Sequence, residues 1–319
     1  LHLCRQSRCY LLAPVQRRVT RSLRSAERTQ VRARVIATFG RQSLIDDAAH
    51  IRQATRRGRR GDVVVGDCVL ASVTSVEQAR IESIEPRSTL LFRSDKYRTK
   101  ELAANVDQVI IVFAARPAFN RWFIWKALVA ATAAGIEALV LRNKSDLAES
   151  ADASSFLHQV SQLGWRTLAL SAKVESDRSR DLLVREVAGR KSLMVGQSGM
   201  GKSTLLNLLI PDAGARTQQY SERLNAGKQT TTASRWFSFD GDSALVDTAG
   251  FEEFGLAHLS FDEIAATFPE FKGLLGHCRF QDCRHSEEPG CAVRAALADS
   301  TIAPERYEFY RSLSAASLA

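Results

Sequence analysis

The chain has 319 residues, 45% of them hydrophobic and 25% charged, a composition typical of a globular protein of roughly two or three domains. It contains no run of 18 or more apolar residues, so we expect no membrane-spanning helix. The net charge of +9 is unevenly placed. Residues 1–60 hold fifteen Arg and three acidic residues and so carry a net charge of about +12, whereas the rest of the chain carries about −3.

Residues 1–30 form a basic arm that is rich in Arg and Ser and poor in acidic residues. Such an arm indicates an anionic partner, nucleic acid rather than membrane, although a solvated and partly disordered terminus has the same composition. An organelle transit peptide also has this composition. A secretory signal is not expected, because no apolar segment leads into a small-residue cleavage site.

Residues 31–101 predict a small β domain. Its segments "VRARVIATFG", "DVVVGDCVLASV" and "ARIESIEP" are β-rich and largely alternate between apolar and polar residues. Short strands of this kind favour a small β-barrel of the oligonucleotide-binding type, the OB-fold.

The pattern changes near Asn105 and predicts a larger domain over 102–257. The apolar run "DQVIIVFAA" is typical of a buried strand, and the strands "IEALVL", "RTLAL" and "KSLMV" alternate with helices predicted at 121–134, 151–163 and 180–188. Two short strands follow at 235–240 and 243–247. This alternation predicts a parallel sheet with helices on both faces, with Trp122 and Trp125 in its core.

The stretch "GQSGMGKST" matches the pattern G-x-x-x-x-G-K-[ST] of a phosphate-binding P-loop, and it lies between a strand and a helical pattern as that motif requires. Backbone N–H groups and the helix N-terminus would surround the α- and β-phosphates. Lys202 can reach the β- and γ-phosphates, and Ser203 can place its hydroxyl on Mg²⁺. The candidate residues are Gly196, Gln197, Ser198, Gly199, Met200, Gly201, Lys202, Ser203 and Thr204.

A base-reading site is predicted at the ends of two consecutive strands, where "NKSD" and "SAK" occur. The carboxylate of Asp146 can accept hydrogen bonds from guanine N1–H and N2–H₂, a donor pair that adenine lacks. Asn143 can bond the base and a neighbouring loop, Lys144 can lay its stem across the ring, and the N–H of Ala172 can meet guanine O6. The candidate residues are Asn143, Lys144, Ser145, Asp146, Ser171, Ala172 and Lys173.

Two switch segments are predicted downstream, at "GKQTTT" and "DTAG". Thr230 and Thr231 lie in a polar loop of the type that closes over the γ-phosphate, and the Gly250 N–H can meet that phosphate. The predicted magnesium ligands are Ser203, Thr231 and Asp247. In ordinary GTPases the phosphate loop comes first and the base reader last, so the order here indicates a circular permutation.

The residue that orients the attacking water is left open by the sequence. Many GTPases place a Gln just after D-x-x-G, but here that position is Phe251, which cannot hydrogen-bond water. Gln229, beside the Thr run, is the candidate catalytic residue together with Lys202, although an exposed Gln without a role fits the sequence equally well.

A metal site is predicted near the C-terminus by the spacing C-x4-C-x-H-x5-C of Cys278, Cys283, His285 and Cys291. Three thiolates and one imidazole complete a tetrahedral Zn²⁺ shell with no open position, which indicates a structural site. His277 is an alternative nitrogen ligand, and free thiols or a disulfide remain an alternative to a metal.

The chain resembles the ribosome small subunit-dependent GTPase A family, RsgA, from about Val31 to its C-terminus. The resemblance rests on "AANVDQV", "NKSD", "GQSGMGKSTLLN", "TTT", "DTAGFEEFGL" and "CRFQDCRHSEEPGCAV". It implies an α/β P-loop GTPase domain, circularly permuted, with an N-terminal small β-barrel (OB-fold) and a C-terminal zinc-binding helical module over 258–319.

The resemblance also implies a function: a cytoplasmic GTPase that binds the small (30S) ribosomal subunit and hydrolyses GTP to GDP and phosphate late in subunit maturation. It implies Mg²⁺ with GTP and one structural Zn²⁺ per chain. We further expect contact with 16S rRNA, no membrane partner and a monomer. Two departures from the family pattern are Gln229, where the family usually has His, and Ala249, where it commonly has Pro.

Two alternatives stay open at this point. One is a GTP-controlled RNA-binding switch in which hydrolysis matters little. The other is an organelle-targeted relative that uses residues 1–30 as a transit peptide.

Overall fold

The structure is a computed structural model, and it describes residues 29–56, 63–94, 99–147, 151–223, 234–248 and 254–316. The strands are β1 Gln30–Phe39, β2 Gln42–Asp46, β3 Ile51–Arg56, β4 Cys68–Val73, β5 Gln78–Ile84, β6 Leu90–Ser94, β7 Thr99–Ala104, β8 Gln108–Phe113, β9 Glu137–Arg142, β10 Arg166–Ala169, β11 Lys191–Val195, β12 Ser234–Phe239 and β13 Ser243–Thr248. The helices are α1 Arg121–Ala133, α2 Ala151–Gln162, α3 Ser176–Val187, α4 Lys202–Leu209, α5 Ala213–Arg223, α6 Phe261–Ala266, α7 Ala292–Ala298 and α8 Pro304–Ala316, with a 3-10 turn at Pro269–Phe271.

Strands β1 to β5 form a closed barrel, which confirms the predicted small β-barrel. β1 pairs with both β2 and β4, and β5 pairs with β3 and β4, so that the ladder returns to its start. The alternating apolar residues of these strands face a core of their own. Its buried members are Ala33, Val35, Ile45, Ala54, Val69, Ala71, Ala79 and Ile81.

The larger domain contains a six-stranded sheet in the order β10-β9-β8-β11-β13-β12. Its first five strands are parallel and β12 runs antiparallel to β13. All six residues of β8 are buried, which requires cover on both faces of the sheet, as the continuous apolar run predicted. The carboxyl ends of the parallel strands therefore meet at one edge, where ligands bind in sheets of this kind.

The barrel and the larger sheet are joined through one strand pairing that the sequence did not indicate. β1 pairs antiparallel with β12, with Ala37 opposite Arg235, so eleven strands form a continuous sheet. The guanidinium of Arg34 lies 4.8 Å from the ring centroid of Trp236 and donates a 2.7 Å hydrogen bond to the carbonyl of Gly66. Gly66 has φ +92, and a Cβ there would lie 2.0 Å from the Ala104 carbonyl oxygen, so this junction requires glycine.

Four further features differ from the sequence-based expectations. The hairpin of β6 and β7 and the helix α5 were not predicted, and the expected boundary between 101 and 102 falls within β7. The helix predicted at 180–188 is wrong at its start, because α3 begins at Ser176. Its first turn is polar and lacks apolar periodicity, but Ser179 is buried there and donates a 2.9 Å hydrogen bond to the Ser171 carbonyl.

The C-terminal helix α8 packs against α1 through a buried arginine. Arg306 is 2% exposed, and its guanidinium lies 4.1 Å from the ring centroid of Trp125 and 4.6 Å from that of Phe268. Its Nε donates a 2.6 Å hydrogen bond to Glu270. A second ion pair, between Arg121 and Glu305, joins the same two helices at 3.2 Å near the surface.

Among the described residues no helix is both long and apolar enough to cross a membrane.

We expect Glu270→Gln to lower the free energy of unfolding by about 3 kcal/mol, because it keeps the shape of the side chain but leaves the Arg306 charge buried without a counter-charge. Urea unfolding measures the change. The matched control is Glu305→Gln, which breaks the half-exposed pair with Arg121 and should cost less than about 1 kcal/mol. Equal costs for the two substitutions would contradict the assignment of Arg306 as a buried, paired charge.

Candidate nucleotide and metal sites

The P-loop leaves the carboxyl end of β11 and ends at the N-terminus of α4. Gly196 (φ +156), Gly199 (φ +77) and Gly201 (φ +95) all lie in the region that favours glycine. A Cβ at Gly196 would lie 2.3 Å from the carbonyl oxygen of Val112, and a Cβ at Gly201 would lie 2.3 Å from Nδ2 of Asn143. The glycines therefore let the loop close tightly against β8 and against the base-reading segment.

Lys202 lies across the P-loop that precedes it. Its ammonium donates hydrogen bonds to the carbonyl oxygens of Gly196 and, at 2.9 Å, of Gln197. Burial lowers the pKa of Lys202, and the neighbouring carboxylate of Asp247 opposes this effect. Ser203, one residue further into α4, is exposed, while Met200 is buried. The amine is thus held inside the loop, within reach of a group bound there.

Asn143 connects the P-loop to the two base-reading segments. It is 2% exposed, its Nδ2 donates a 3.0 Å hydrogen bond to the Met200 carbonyl, and its Oδ1 accepts a 3.2 Å hydrogen bond from the Ala172 N–H. Lys144 adds a second connection, because its ammonium donates a 2.7 Å hydrogen bond to the Gly199 carbonyl. The structure therefore brings together three segments that are separated in the sequence.

Asp146 lies at the open side of this arrangement. Its carboxylate accepts a hydrogen bond from the hydroxyl of Ser171, which is itself buried. The N–H of Ser145 donates to the Leu170 carbonyl at 3.1 Å, and Lys173 is exposed. The carboxylate is thus oriented by a neighbouring loop while remaining accessible to a ligand.

Asp247 is the second-last residue of β13, the strand next to β11, from which the P-loop leaves. It is registered with Met194 of β11, and burial raises the pKa of its carboxyl, an effect opposed by Lys202 and Arg235. Oxygen ligands of this type suit Mg²⁺. Ser203, the residue after Lys202, is exposed in the first turn of α4 and can offer its hydroxyl as a second oxygen ligand. The other predicted switch and catalytic residues lie outside the described residues; they are Gln229, Thr230, Thr231, Ala249, Gly250 and Phe251.

Sequence reasoning missed a contact between helix α1 and the P-loop. The backbone N–H of Asn120 donates a 2.8 Å hydrogen bond to Oε1 of Gln197, and the side chain of Asn120 caps α1 by accepting from the Trp122 N–H at 2.9 Å. An Asn before a helical pattern is an N-cap signal, but nothing in the sequence connects it to Gln197. Arg235 was also missed, and no motif marks it.

Four ligand atoms at the C-terminal end converge on one point: those of Cys278, Cys283, His285 and Cys291 all lie within 4.8 Å of one another. The three distances from the thiol sulfurs to Nδ1 of His285 are 3.4, 3.6 and 3.5 Å, and the Cys278 and Cys291 sulfurs are 3.9 Å apart. A tetrahedral ion with Zn–S and Zn–N bonds of ordinary length requires about 3.6 Å for S–N and about 3.8 Å for S–S. The cluster therefore has the geometry of a four-ligand metal site, and the nitrogen comes from His285 and not His277.

The protonation chemistry of this cluster also fits a cation. Burial raises the pKa of the Cys283 thiol to about 12, so a thiolate there needs a nearby positive charge. Burial lowers the pKa of His285, which favours the neutral imidazole that binds metals. Tyr307 of α8 donates a 2.7 Å hydrogen bond to the His285 carbonyl and thereby holds the ligand loop against the helix.

Comparison with known proteins agrees with this architecture. The RsgA GTPase family model matches residues 84–257. The chain is 42% identical to the small ribosomal subunit biogenesis GTPase RsgA of Burkholderia pseudomallei strain 1710b, over 94% of this chain and 96% of the relative, and 43% identical to the protein of that name from Paraburkholderia phymatum, over 89% and 91%. Among solved structures it is similar to YjeQ from Thermotoga maritima (TM-score 0.68, 27% identity, 91% of this chain and 99% of that one) and to YloQ, a circularly permuted GTPase (TM-score 0.65, 22% identity, 92% and 98%).

The fold and the order of its motifs define a circularly permuted P-loop GTPase. The predicted base-reading segments precede the P-loop in the chain but meet it in space through Asn143, and the predicted circular permutation is confirmed. The chain belongs to the RsgA GTPase family.

We expect Gly201→Ala to lower the free energy of unfolding by about 2 kcal/mol and to weaken guanine-nucleotide binding, because φ is +95 and the added Cβ would displace the Asn143 amide. Urea unfolding and titration with labelled GDP measure the two effects. The matched control is Gly214→Ala in α5, where a Cβ meets nothing within 4 Å. That change should leave binding intact and stabilise the fold slightly, and a similar loss in both variants would contradict the argument.

We expect one divalent ion per chain, lost in Cys291→Ser, because three ligands hold a structural ion far more weakly than four. Native mass spectrometry gives the metal content, and limited proteolysis reports the loosening of the C-terminal module that should follow. Cys68→Ser, in β4 of the barrel, is the control and should keep the ion. Full metal content in Cys291→Ser would rule out the proposed ligand set.

Proposed function

We propose that this chain binds the small (30S) ribosomal subunit and hydrolyses GTP to GDP and phosphate during late subunit maturation. The observation that carries the proposal is the convergence of the base-reading segments, the P-loop and Asp247 at one sheet edge, connected by the Asn143 amide. The ribosomal part is supported by the names of its relatives, which are small ribosomal subunit biogenesis GTPases.

Guanine selection would depend on Asp146. Its carboxylate, oriented by the Ser171 hydroxyl, would accept hydrogen bonds from guanine N1–H and N2–H₂, whereas adenine would leave it without donors. The Ala172 N–H would face O6, and Asn143 would hold both loops at the required separation. The stem of Lys144, fixed by its bond to the Gly199 carbonyl, would lie over the ring.

The P-loop would hold the phosphates through its backbone N–H groups, the N-terminus of α4 and the Lys202 ammonium, which would exchange its loop carbonyl partners for phosphate oxygens. Ser203, Thr231 and Asp247 would hold Mg²⁺, which supplies charge to the β- and γ-phosphates when it is bound. The Gly250 N–H and Thr230 would contact the γ-phosphate. Slow hydrolysis by the isolated chain is expected, because Phe251 offers no polar group and Gln229 is the candidate to orient water in its place.

We assign residues 31–101 to an RNA-binding barrel domain, 102–257 to the GTPase domain and 258–319 to a metal-binding module. The barrel and the basic arm of residues 1–30 are the proposed contacts with 16S rRNA, since an OB-type barrel and a run of arginines both suit a polyanion. The Cys₃His ligand set favours Zn²⁺. A monomer in the cytoplasm without a membrane partner completes the proposal.

The test is phosphate release from GTP and from ATP, each with and without purified small ribosomal subunits. We expect slow release from GTP, a large increase with subunits and none from ATP. Asp146→Asn should weaken GTP hydrolysis and favour xanthosine triphosphate, whose C2 oxygen accepts a hydrogen bond where guanine donates one. Equal use of ATP and GTP would overturn the base-reading assignment, and GTP hydrolysis that is indifferent to subunits would overturn the ribosomal role.

A further inference from the structure

Arg235 lies beside the phosphate site but has no role in the function proposed above. It is the second residue of β12 and is 8% exposed. In the β12–β13 ladder its Cα partner is Asp247. Because cross-strand partners project from the same face of a sheet, the Arg235 side chain lies on the face that carries the Asp247 carboxylate.

The charges around Asp247 show that this proximity has an electrostatic effect. Burial raises the pKa of Asp247, and two cations oppose it, first Lys202 and then Arg235. Burial lowers the pKa of Arg235 in turn, and the charge that opposes it is Asp247. The site therefore contains a second cation besides the P-loop lysine.

A buried arginine at this position carries a desolvation cost. The two residues that follow it, Trp236 and Phe237, are apolar and buried, and an apolar side chain avoids the cost of desolvating a guanidinium. The backbone of Arg235 is also fixed on both sides, by Asp247 in β13 and by Ala37 of β1. Two ladders fix the backbone from which the guanidinium extends and so limit the positions that the charge can take. A positioned charge is most effective where negative charge accumulates.

We propose that Arg235 is an electrostatic positioning residue of the nucleotide site. Its positive charge offsets part of the phosphate charge that Mg²⁺ otherwise neutralises. Guanine-nucleotide binding therefore depends less on Mg²⁺ than it would without Arg235. The inference rests on the proposed function, because it requires GDP or GTP at the P-loop. It concerns a residue of this chain that none of the motifs contains.

The experiment compares the dissociation constant of fluorescently labelled GDP in buffer without Mg²⁺, with no chelator so that the Cys₃His cluster keeps its ion, with that at saturating Mg²⁺. The ratio of the two constants measures the dependence on the metal and does not change if a variant is merely less well folded. We expect the ratio to rise about tenfold in Arg235→Met, mainly through weaker binding without Mg²⁺, because a unit charge is lost in a poorly solvated site. Arg235→Lys keeps the charge and should keep the ratio near that of the wild type.

The matched control is Arg34→Met. Arg34 packs on Trp236, which alternates with Arg235 along β12 and so faces the other side of the sheet. This control disturbs the junction with the barrel without removing a charge that acts on Asp247, and its ratio should not change. Arg235→Gln serves as a second neutral variant if Arg235→Met gives little folded protein.

An unchanged ratio in both neutral variants would overturn the inference and assign Arg235 a packing role. A rise in Arg235→Lys as large as that in Arg235→Met would overturn it as well, because charge would then not be the cause. If the wild-type chain bound no guanine nucleotide, the proposed function would fail and this inference with it. The two failures are therefore distinguishable.

Discussion

The nucleotide edge of this molecule depends on one buried amide. Asn143 donates to the P-loop and accepts from the loop after β10, so both of its polar ends are satisfied in a place that water does not reach. A buried amide that lost either partner would carry a large desolvation cost, which makes the two hydrogen bonds a strong constraint on loop separation. The same amide occupies the space of a Cβ at position 201 and so explains the glycine there. This constraint acts between segments that meet in space, so it holds whichever order the segments have in the chain.

The metal-binding module is attached to the same region by a different kind of contact. Arg306 of α8 is enclosed by aromatic rings that include Trp125 of α1, and the N-terminus of α1 donates a hydrogen bond to Gln197 of the P-loop. One helix thus lies between the Cys₃His cluster and the phosphate loop. Two unlike interactions hold it: the ring of Trp125, one turn into the helix, packs on the Arg306 cation, and the capped N-terminus donates one backbone hydrogen bond to Gln197.

Local patterns in the sequence predicted most of this architecture. The barrel, the parallel sheet, the P-loop and the four-ligand cluster follow from strand alternation, glycine spacing and cysteine spacing, which short segments encode by themselves. Non-local features were not predictable in this way. The β1–β12 pairing joins Ala37 to Arg235, which are far apart in the chain, and the position of Arg235 opposite Asp247 depends on strand register. The early start of α3 was missed because a polar first turn, held by Ser179, has no hydrophobic period.

The permuted order has a consequence for how the chain is made. Domains tend to fold from the N-terminus as they are synthesised, so the barrel can close its own ladder early. The edge of β1 at Ala37, however, finds its partner only when β12 has been added, and until then it is an open strand edge available to other chains. The contact between Asn143 and Met200 spans 57 residues, and Asn143, in the predicted base-reading segment, is synthesised before the P-loop. A ligand stabilises only the state that binds it, so guanine nucleotide can assist folding only after β11 and β13 are in place. The edge of β1 is therefore open in a chain that cannot yet be stabilised by guanine nucleotide.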